Sequence, residues 1–586
     1  MRDTTLVCTL GPASNDESTI RDLAAAGMEI ARINTSHGTP EQYASIIQRV
    51  RSVEATLDRP LGVVLDLQGP EIRTAPLSEP ITLVEGATVQ FRAGDTVTPE
   101  EIGISSPIVD ADVGAEIYLD DGRIEAVIER VDAETVAARI TSGGELGGRK
   151  SVVAPEVEFD VDVVTSTDRA AIEVGIEHGV DFVAASFVRN ATDVMAVAEA
   201  IESRGADIPI VSKIERGEAV DSIDDIIDVS YGVMVARGDL GVECPIEDVP
   251  MIQKRLVRRC QAAGVPVIIA TEMLDSMISS TRPTRAEASD VANAVLDGAD
   301  AVMLSGETAV GEQPVAVVET MDQIVTTAEA SGEAGTRREQ RVPAANGAST
   351  DALARSARYL ARDAGASAIV VASESGYTAR KTAKYRPEVP IVASAPDERV
   401  RRQLLLSHGI LPRATEYTTG GAQAIIEGAV ETALETPVVE SGDTVVVLSG
   451  MMTDLPGTDA TNLLKLHVAS EVLTTGQCVV AGRVAGPVVR TTDGELTDIP
   501  DGAIIAVPDS FDAEFTGDLS QVGGIVAERR GMTGYPAIVA RELDVPMVSG
   551  VAVDALTGAS TVTLDAERGV VYKGVIREYG DEPRDE

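Results

Sequence analysis

"IPIVSKIERGEAV", residues 208–220, decides how the rest of the chain is read. Ile208 to Ile214 is a short, nearly continuous apolar run, the pattern of a strand buried on both faces. It closes on Lys213 and Glu215, two charges that the middle of a buried strand would not carry. Lysine is otherwise scarce, with seven lysines against 42 arginines and 94 acidic residues. A rare cation beside a carboxylate at a strand tip marks that tip as a place for chemistry.

The same grammar recurs along the first 310 residues. "TTLVCTL" (4–10), "MEIARIN" (28–34), "LGVVLDL" (61–67), "DFVAASF" (181–187), "IPIVSKI" (208–214), "GVMVARG" (232–238), "VPVIIAT" (265–271) and "ADAVMLS" (299–305) are short apolar runs, mostly separated by helix-like stretches. Buried strands alternating with helices predict a parallel sheet covered by helices, and the number eight favours a closed (β/α)8 barrel over an open sheet. Chemistry in such barrels gathers at the C-terminal strand ends. Those ends carry Arg32, Asn34 and Ser36; Asp66; Ser186; Lys213 and Glu215; Arg237 and Asp239; Thr271; and Ser305 with Glu307. Glu215 and Asp239 lie one βα unit apart, which predicts two carboxylates on neighbouring tips able to share a hard divalent cation. Lys213 would stand beside that ion as a compact charge for a phosphoryl group or an enolate. Taken singly, each of these residues also has a plain role as a surface charge, cap or ion-pair partner.

The pattern divides the chain into a barrel over 1–70 and 156–344, a β insert over 71–155, an α/β domain over 345–475 and a further domain over 476–586. Period-2 runs and the Asp-Asp-Gly turn of "EIYLDDGRIEAVIERV" mark the insert, placed where a lid would sit. In the third domain, "ASAIVVASESGYTARKTAKYRP" runs from a buried strand through Ser373, Ser375 and Gly376 into a basic helix with Thr378, a turn that could offer amides and hydroxyls to a phosphate.

Composition narrows the function. The 586 residues carry a net charge of −45, which opposes nucleic acid and anionic membranes, and Trp is absent, which removes a main base-stacking residue. An acidic, lysine-poor surface that keeps its arginines suits a halophilic cytosol, where multimolar salt screens self-repulsion to about 3 Å. No segment has the roughly 18 apolar residues of a transmembrane helix, and the start has no signal-peptide pattern, so a cytoplasmic location is expected. Cys8, Cys244, Cys260 and Cys478 are scattered without metal-ligand spacing, as reduced thiols would be.

"ARINTSHG" (31–38), "GPEIRT" (69–74), "IVSKIERGEAV" (210–220), "VMVARGDLGVE" (233–243), "ATEMLDSM" (270–277) and "RPTRAEASDVANAVLDGADAVMLSGETA" (282–309) resemble, in order, the signatures of the pyruvate kinase family, here of haloarchaeal type. The resemblance implies a (β/α)8 barrel with a small β-barrel lid and a regulatory α/β domain. The activity it implies is phosphoryl transfer from phosphoenolpyruvate to ADP, giving ATP and pyruvate. Lys213 would be the cation facing the transferring phosphoryl group and the enolate. Mg2+ or Mn2+ would sit on Glu215 and Asp239, with Arg32 on the phosphate and the Gly238–Asp239 backbone with Thr271 on the substrate carboxylate. Thr271 would also stand near the protonation of the enolate. Asn34, His37, Arg73 and Asp121 would face the nucleotide. Asn34, Ser36, Asp66 and the carbonyl of Leu67 would hold K+. Relatives that dispense with K+ place a lysine where this chain has Glu71, which argues for K+ dependence, although Leu67 and Gln68 replace a common Thr-Lys pair. Thr167 stands where the family has a lysine on ATP phosphates, so either nucleotide affinity would be weaker or Arg169 would substitute. Ser373, Ser375, Gly376 and Thr378 would take the phosphate of an effector, in a homotetramer.

Residues 476–586 resemble the phosphohistidine swivelling domain of phosphoenolpyruvate-utilising enzymes through "IPDGAIIAVPDSFDAEF" and "GGIVAERRGMTGYPAIVARELDVPMVSGV". The carrier histidine is missing. The chain reads Thr533, Gly534, Tyr535, Pro536 and Ala537 there, and its four histidines, 37, 178, 408 and 467, lie elsewhere. A dikinase or phosphoenolpyruvate synthase therefore lacks its nucleophile. A metal-dependent barrel aldolase would not need the insert or the "SKIER" lysine. A partner-binding scaffold would not need to keep Lys213, Glu215, Asp239 and Thr271.

Overall fold

The computed structural model describes residues 2–108, 111–132, 134–155, 162–416, 422–450 and 461–576. These group into two compact units, one formed by 1–351, 374–386 and 395–414 and the other by 352–373, 387–394 and 415–586. Among the described residues no helix is long and apolar enough to cross a membrane.

In the first unit all eight apolar runs become strands: β1 (Thr5–Thr9), β2 (Ile30–Asn34), β3 (Gly62–Asp66), β4 (Phe182–Ala185), β5 (Ile210–Ile214), β6 (Gly232–Ala236), β7 (Val267–Ala270) and β8 (Ala301–Leu304). Each pairs in parallel with its neighbours in chain order, and β8 returns to β1, so the sheet closes. Side chains alternate between two buried clusters. Val7, Ile30, Val64 and Val211 fall in one, and Leu6, Ile33, Leu65 and Val235 pack with the helices in the other. That two-sided burial is why the strands read as unbroken apolar runs instead of alternating ones. Capping boxes start two of the outer helices, Thr165 on Ser166–His178 and Thr284 on Arg285–Asp297.

The insert keeps its own core, with Ile72, Phe91, Ile117, Ile140 and Ala154 buried together. Its Asp-Asp-Gly turn joins the antiparallel strands Glu116–Leu119 and Ile124–Val131, with φ values of 51°, 56° and 81° at Asp120, Asp121 and Gly122, the left-handed pair-plus-glycine that a tight hairpin requires. The expected small β-barrel forms. Six strands run from Val152–Val153 to Glu101–Ile104, and Ile81–Leu83 pairs separately with Gly144–Leu146. The segment 72–75 joins those two edges. On one side the Val152 amide donates to the Ile72 carbonyl at 2.9 Å and the Thr74 amide to the Lys150 carbonyl at 2.8 Å. On the other the Ala75 amide donates to the Gly103 carbonyl at 2.8 Å and the Ser105 amide to the Arg73 carbonyl at 2.9 Å, so pairing runs around the ring.

The second unit holds Ala368–Ala372 in parallel with Asp443–Gly450, which pairs antiparallel with Thr461–Ala469. The tail follows as an eight-stranded mixed sheet with one long helix, Tyr535–Leu543. Tyr535, near the place of the missing histidine, is packed: its hydroxyl accepts from the Phe515 amide at 3.0 Å and its ring lies 5.6 Å from that of Phe515.

Candidate active site

Period 2 explains how the barrel aims its polar tips. Arg32, Asp66, Ser186 and Lys213 each stand two residues beyond an interior apolar residue, namely Ile30, Val64, Ala184 and Val211. They therefore continue the same inward face, one layer above the apolar plug. There they meet. The Lys213 ammonium lies 2.8 Å from Glu215 Oε1 and 3.2 Å from Asp66 Oδ1, and donates to Ser186 Oγ at 2.8 Å. Arg32 Nε donates to the other Asp66 oxygen at 2.6 Å and Arg32 Nη1 to Thr9 Oγ1 at 2.9 Å. Glu215 Oε2 accepts from the Phe187 amide at 2.7 Å. Phe187 holds a φ of 55° to present that amide, a left-handed conformation that costs a non-glycine residue energy.

Burial opposes the charge on Lys213, but the pull of Asp66 and Glu215 outweighs it and holds the ammonium above its ordinary range. Asp66 is likewise disfavoured by burial, yet Lys213 and Arg32 bring its carboxyl below the usual value. Asp239 behaves oppositely. It opens onto the cleft but is surrounded by protein, and this enclosure, followed by repulsion from Glu215, pushes its carboxyl up to about 7. Two carboxylates that resist sharing negative charge form a site that a divalent cation relieves. Among the described residues no three His, Cys, Asp or Glu converge as a cage. An ion here would complete its shell with water and substrate oxygens, as Mg2+ commonly does. The residues fit it.

The cleft between barrel and insert has a volume of about 780 Å3. Arg32, Asn34, Glu215, Gly238, Asp239 and Thr271 line it from the barrel, with Asp121 and Ser151 from the insert. Asp121 Oδ1 accepts from Ser151 Oγ at 2.7 Å. Arg73 and His37 are not among the lining residues. Arg73 is turned onto Glu71 at 2.7 Å and the Arg149 carbonyl at 2.9 Å. The His37 imidazole is held below its usual range by partial burial and then by Arg73 and Arg32. Thr167 and Arg169 are both exposed and do not line the cleft.

Of the expected K+ donors, Asn34 and Asp66 are register partners across β2 and β3. The Asn34 side-chain oxygen accepts from the Ser36 amide at 3.0 Å, and the Leu67 carbonyl accepts from Ser186 Oγ at 2.6 Å. Amide, carboxylate, hydroxyl and carbonyl oxygens suit a monovalent cation, and Asp66 would then be shared among Arg32, Lys213 and that ion. Ser373 is buried at the end of its strand, and Gly376, at a φ of 77°, caps the helix Tyr377–Ala383, where the Tyr377 amide donates to Ser375 Oγ at 3.4 Å. Thr378 is buried in that helix.

Glu307, one of the strand-tip residues given no assigned role, is structural. It is 1% exposed and its carboxylate clasps the amides of Leu274 at 3.0 Å and Ser305 at 2.7 Å, joining the ends of β7 and β8. Sequence reasoning placed Ser186 among the strand tips without assigning it a contact and did not single out Phe187; Ser186 accepts from Lys213 and the Phe187 amide donates to Glu215. For Ser186 the signal was available, since it stands two residues after the interior Ala184.

Residues 1–318 match the family described as pyruvate kinase, barrel domain, and residues 351–467 its alpha/beta domain. The chain belongs to the pyruvate kinase family. Residues 499–569 match the PEP-utilising enzyme, mobile domain. Pyruvate kinases of Bacillus licheniformis and Geobacillus stearothermophilus are 39% and 40% identical to this chain over 585 and 584 residues, covering 98% of it and 99% of each relative. A pyruvate kinase of Staphylococcus aureus (strain MRSA252) is 40% identical over 585 residues, with the same coverage. Matches of that length run through the tail, so these pyruvate kinases share the extension.

Proposed function

We propose that the chain transfers the phosphoryl group of phosphoenolpyruvate to ADP, giving ATP and pyruvate, the last step of glycolysis. The observation that carries this reading is the Lys213 ammonium, held charged between Asp66 and Glu215, beneath a cleft that Glu215 lines together with Arg32, Asp239 and Thr271. Arg32, anchored by Asp66 and Thr9, presents its guanidinium to the transferring phosphoryl group. Lys213 faces the negative charge that develops on the enolate oxygen as the P–O bond breaks, and it needs no reorganisation to do so. The backbone at Gly238 and Asp239, with Thr271, receives the substrate carboxylate and fixes the enolate beside Thr271 for protonation. Glu215 and Asp239 would hold Mg2+ or Mn2+, which neutralises phosphate charge when bound. Asn34, Ser36, Asp66 and Leu67 would hold K+. Asn34 and Asp121 face the nucleotide from opposite walls, with Arg73 and His37 reaching it once Arg73 leaves Glu71.

The reading extends to domain limits of 1–70 with 156–344, 71–155, 345–475 and 476–586, and to a homotetramer in a halophilic cytosol. A phosphorylated effector would bind at Ser373, Ser375, Gly376 and Thr378. Pyruvate formation in multimolar KCl, with ADP, Mg2+ and phosphoenolpyruvate each left out in turn, tests the activity. Turnover without nucleotide would favour an aldolase-type lyase instead.

A further inference from the structure

Lys465 is one of the seven lysines of the chain. It stands on Thr461–Ala469, the last strand of the α/β sheet, which pairs on one side with Asp443–Gly450. His467 shares its face, two residues on. The chain then passes directly into Val472–Thr475, which pairs with Val570–Lys573 of the tail sheet. The joint is fastened by Ser470 Oγ donating to the Lys573 carbonyl at 3.0 Å and by the Lys573 amide donating to the Glu471 carbonyl at 2.9 Å. Beside this joint lies a cavity of about 500 Å3, lined by Thr444, Lys465, Leu466, His467, Arg568 and Tyr572 among others.

Its ionisable lining is basic apart from the phenol of Tyr572. Burial, then Lys465 and Arg568, hold the His467 imidazole below its usual range, so both cations stand near it. Glu427 is the acid that faces His467, and Asp565 reaches Arg568 only at 3.8 Å. In a chain of net charge −45, a concave site lined by Lys, His and Arg departs from what composition alone would place there. The volume lies within the range of small-molecule sites and exceeds the need of a bare inorganic anion. Tyr572 and Leu466 supply an aromatic and an apolar wall.

We propose that this cavity binds a small phosphate monoester with a flat apolar body, and that the ligand fastens the tail to the α/β domain. Lys465 and Arg568 would take the phosphate oxygens, and Tyr572 the body. The proposal is independent of the active-site reading.

The test titrates full-length protein with phenyl phosphate, inorganic phosphate and benzoate by calorimetry. It uses the lowest KCl concentration at which circular dichroism shows the fold, and the two variants separate this cavity from the active-site cleft. Phenyl phosphate is expected to bind at a site that Lys465→Met and Arg568→Gln each weaken by roughly tenfold or more, as loss of a charge-assisted bond should. Inorganic phosphate and benzoate should bind more weakly. In wild-type protein, phenyl phosphate should slow amide exchange over 465–476 and 568–573, a readout that does not depend on the variants folding. Equal affinity in wild type and both variants, equal affinity for inorganic phosphate, or unchanged exchange at saturation would each overturn the proposal.

Discussion

Replacing Lys213 by Met keeps the length of the side chain and removes its charge. Asp66 would retain Arg32 at 2.6 Å and Glu215 its hydrogen bond from the Phe187 amide at 2.7 Å, so the tips of β3 and β5 should keep their places. Glu215 loses the ammonium at 2.8 Å, which leaves a buried carboxylate short of one partner at a cost of roughly 1–3 kcal/mol in stability. Catalysis should suffer more. Removing one preorganised neutral donor from a developing oxyanion costs about 10²–10³ in rate, and charge-assisted bonds are roughly twice as strong. A fall in kcat of at least about 10³ is therefore expected, about 4 kcal/mol at roughly 1.36 kcal/mol per decade. Pyruvate formation at saturating substrates gives kcat, and calorimetry gives phosphoenolpyruvate affinity, which should change much less. A loss below about tenfold, or one confined to KM, would refute the charge-stabilising role of Lys213.

Glu215→Gln and Asp239→Asn should each raise the Mg2+ concentration needed for half-maximal activity by about tenfold or more, since both carboxylates serve one hard cation; unchanged Mg2+ titrations in both variants would sink the shared site. Replacing KCl by a large organic cation salt at equal ionic strength should abolish most activity while circular dichroism stays native, and full activity there would show that Glu71 does not signal K+ dependence. Burial, then Arg386 and Arg338, hold the His408 imidazole well below its usual range, while its backbone amide donates to Asp300. The folded chain then refuses a proton that the unfolded chain accepts, so the stability this neutral group contributes is complete above about pH 6.5 and is lost as pH falls below that value. Thermal unfolding of wild type and His408→Gln between pH 8 and 5 should show the wild type losing up to about 1.4 kcal/mol per pH unit more than the variant, and parallel curves would contradict it.

The barrel was legible because both faces of each strand are buried, which leaves continuous apolar runs with no competing pattern. Counting in twos from Ile30, Val64 and Val211 also places Arg32, Asp66 and Lys213 on one inward layer. The insert was harder: its alternating strands and Asp-Asp-Gly turn announce a sheet, but its closure rests on the short segment 72–75 bonding to both edges, which no periodic pattern marks. The structural role of Glu307 was not legible because a buried carboxylate serving two amides looks, in sequence, like any strand-tip acid. Arg73 was placed on the nucleotide, and the structure turns it onto Glu71 two residues away, an interaction between neighbouring loop side chains that carries no periodic signal. The packed role of Tyr535 likewise depends on Phe515, twenty residues earlier, meeting it across the tail.

The central claim is that the cleft moves a phosphoryl group from phosphoenolpyruvate to ADP. Phosphorus NMR of full-length protein in multimolar KCl, with Mg2+, phosphoenolpyruvate and ADP, follows the substrate and product phosphates in one sample. The phosphoenolpyruvate signal should fall as the γ-phosphate of ATP rises one for one, with equal pyruvate formed. Release of inorganic phosphate in place of ATP, or consumption of phosphoenolpyruvate without ADP, would contradict the account.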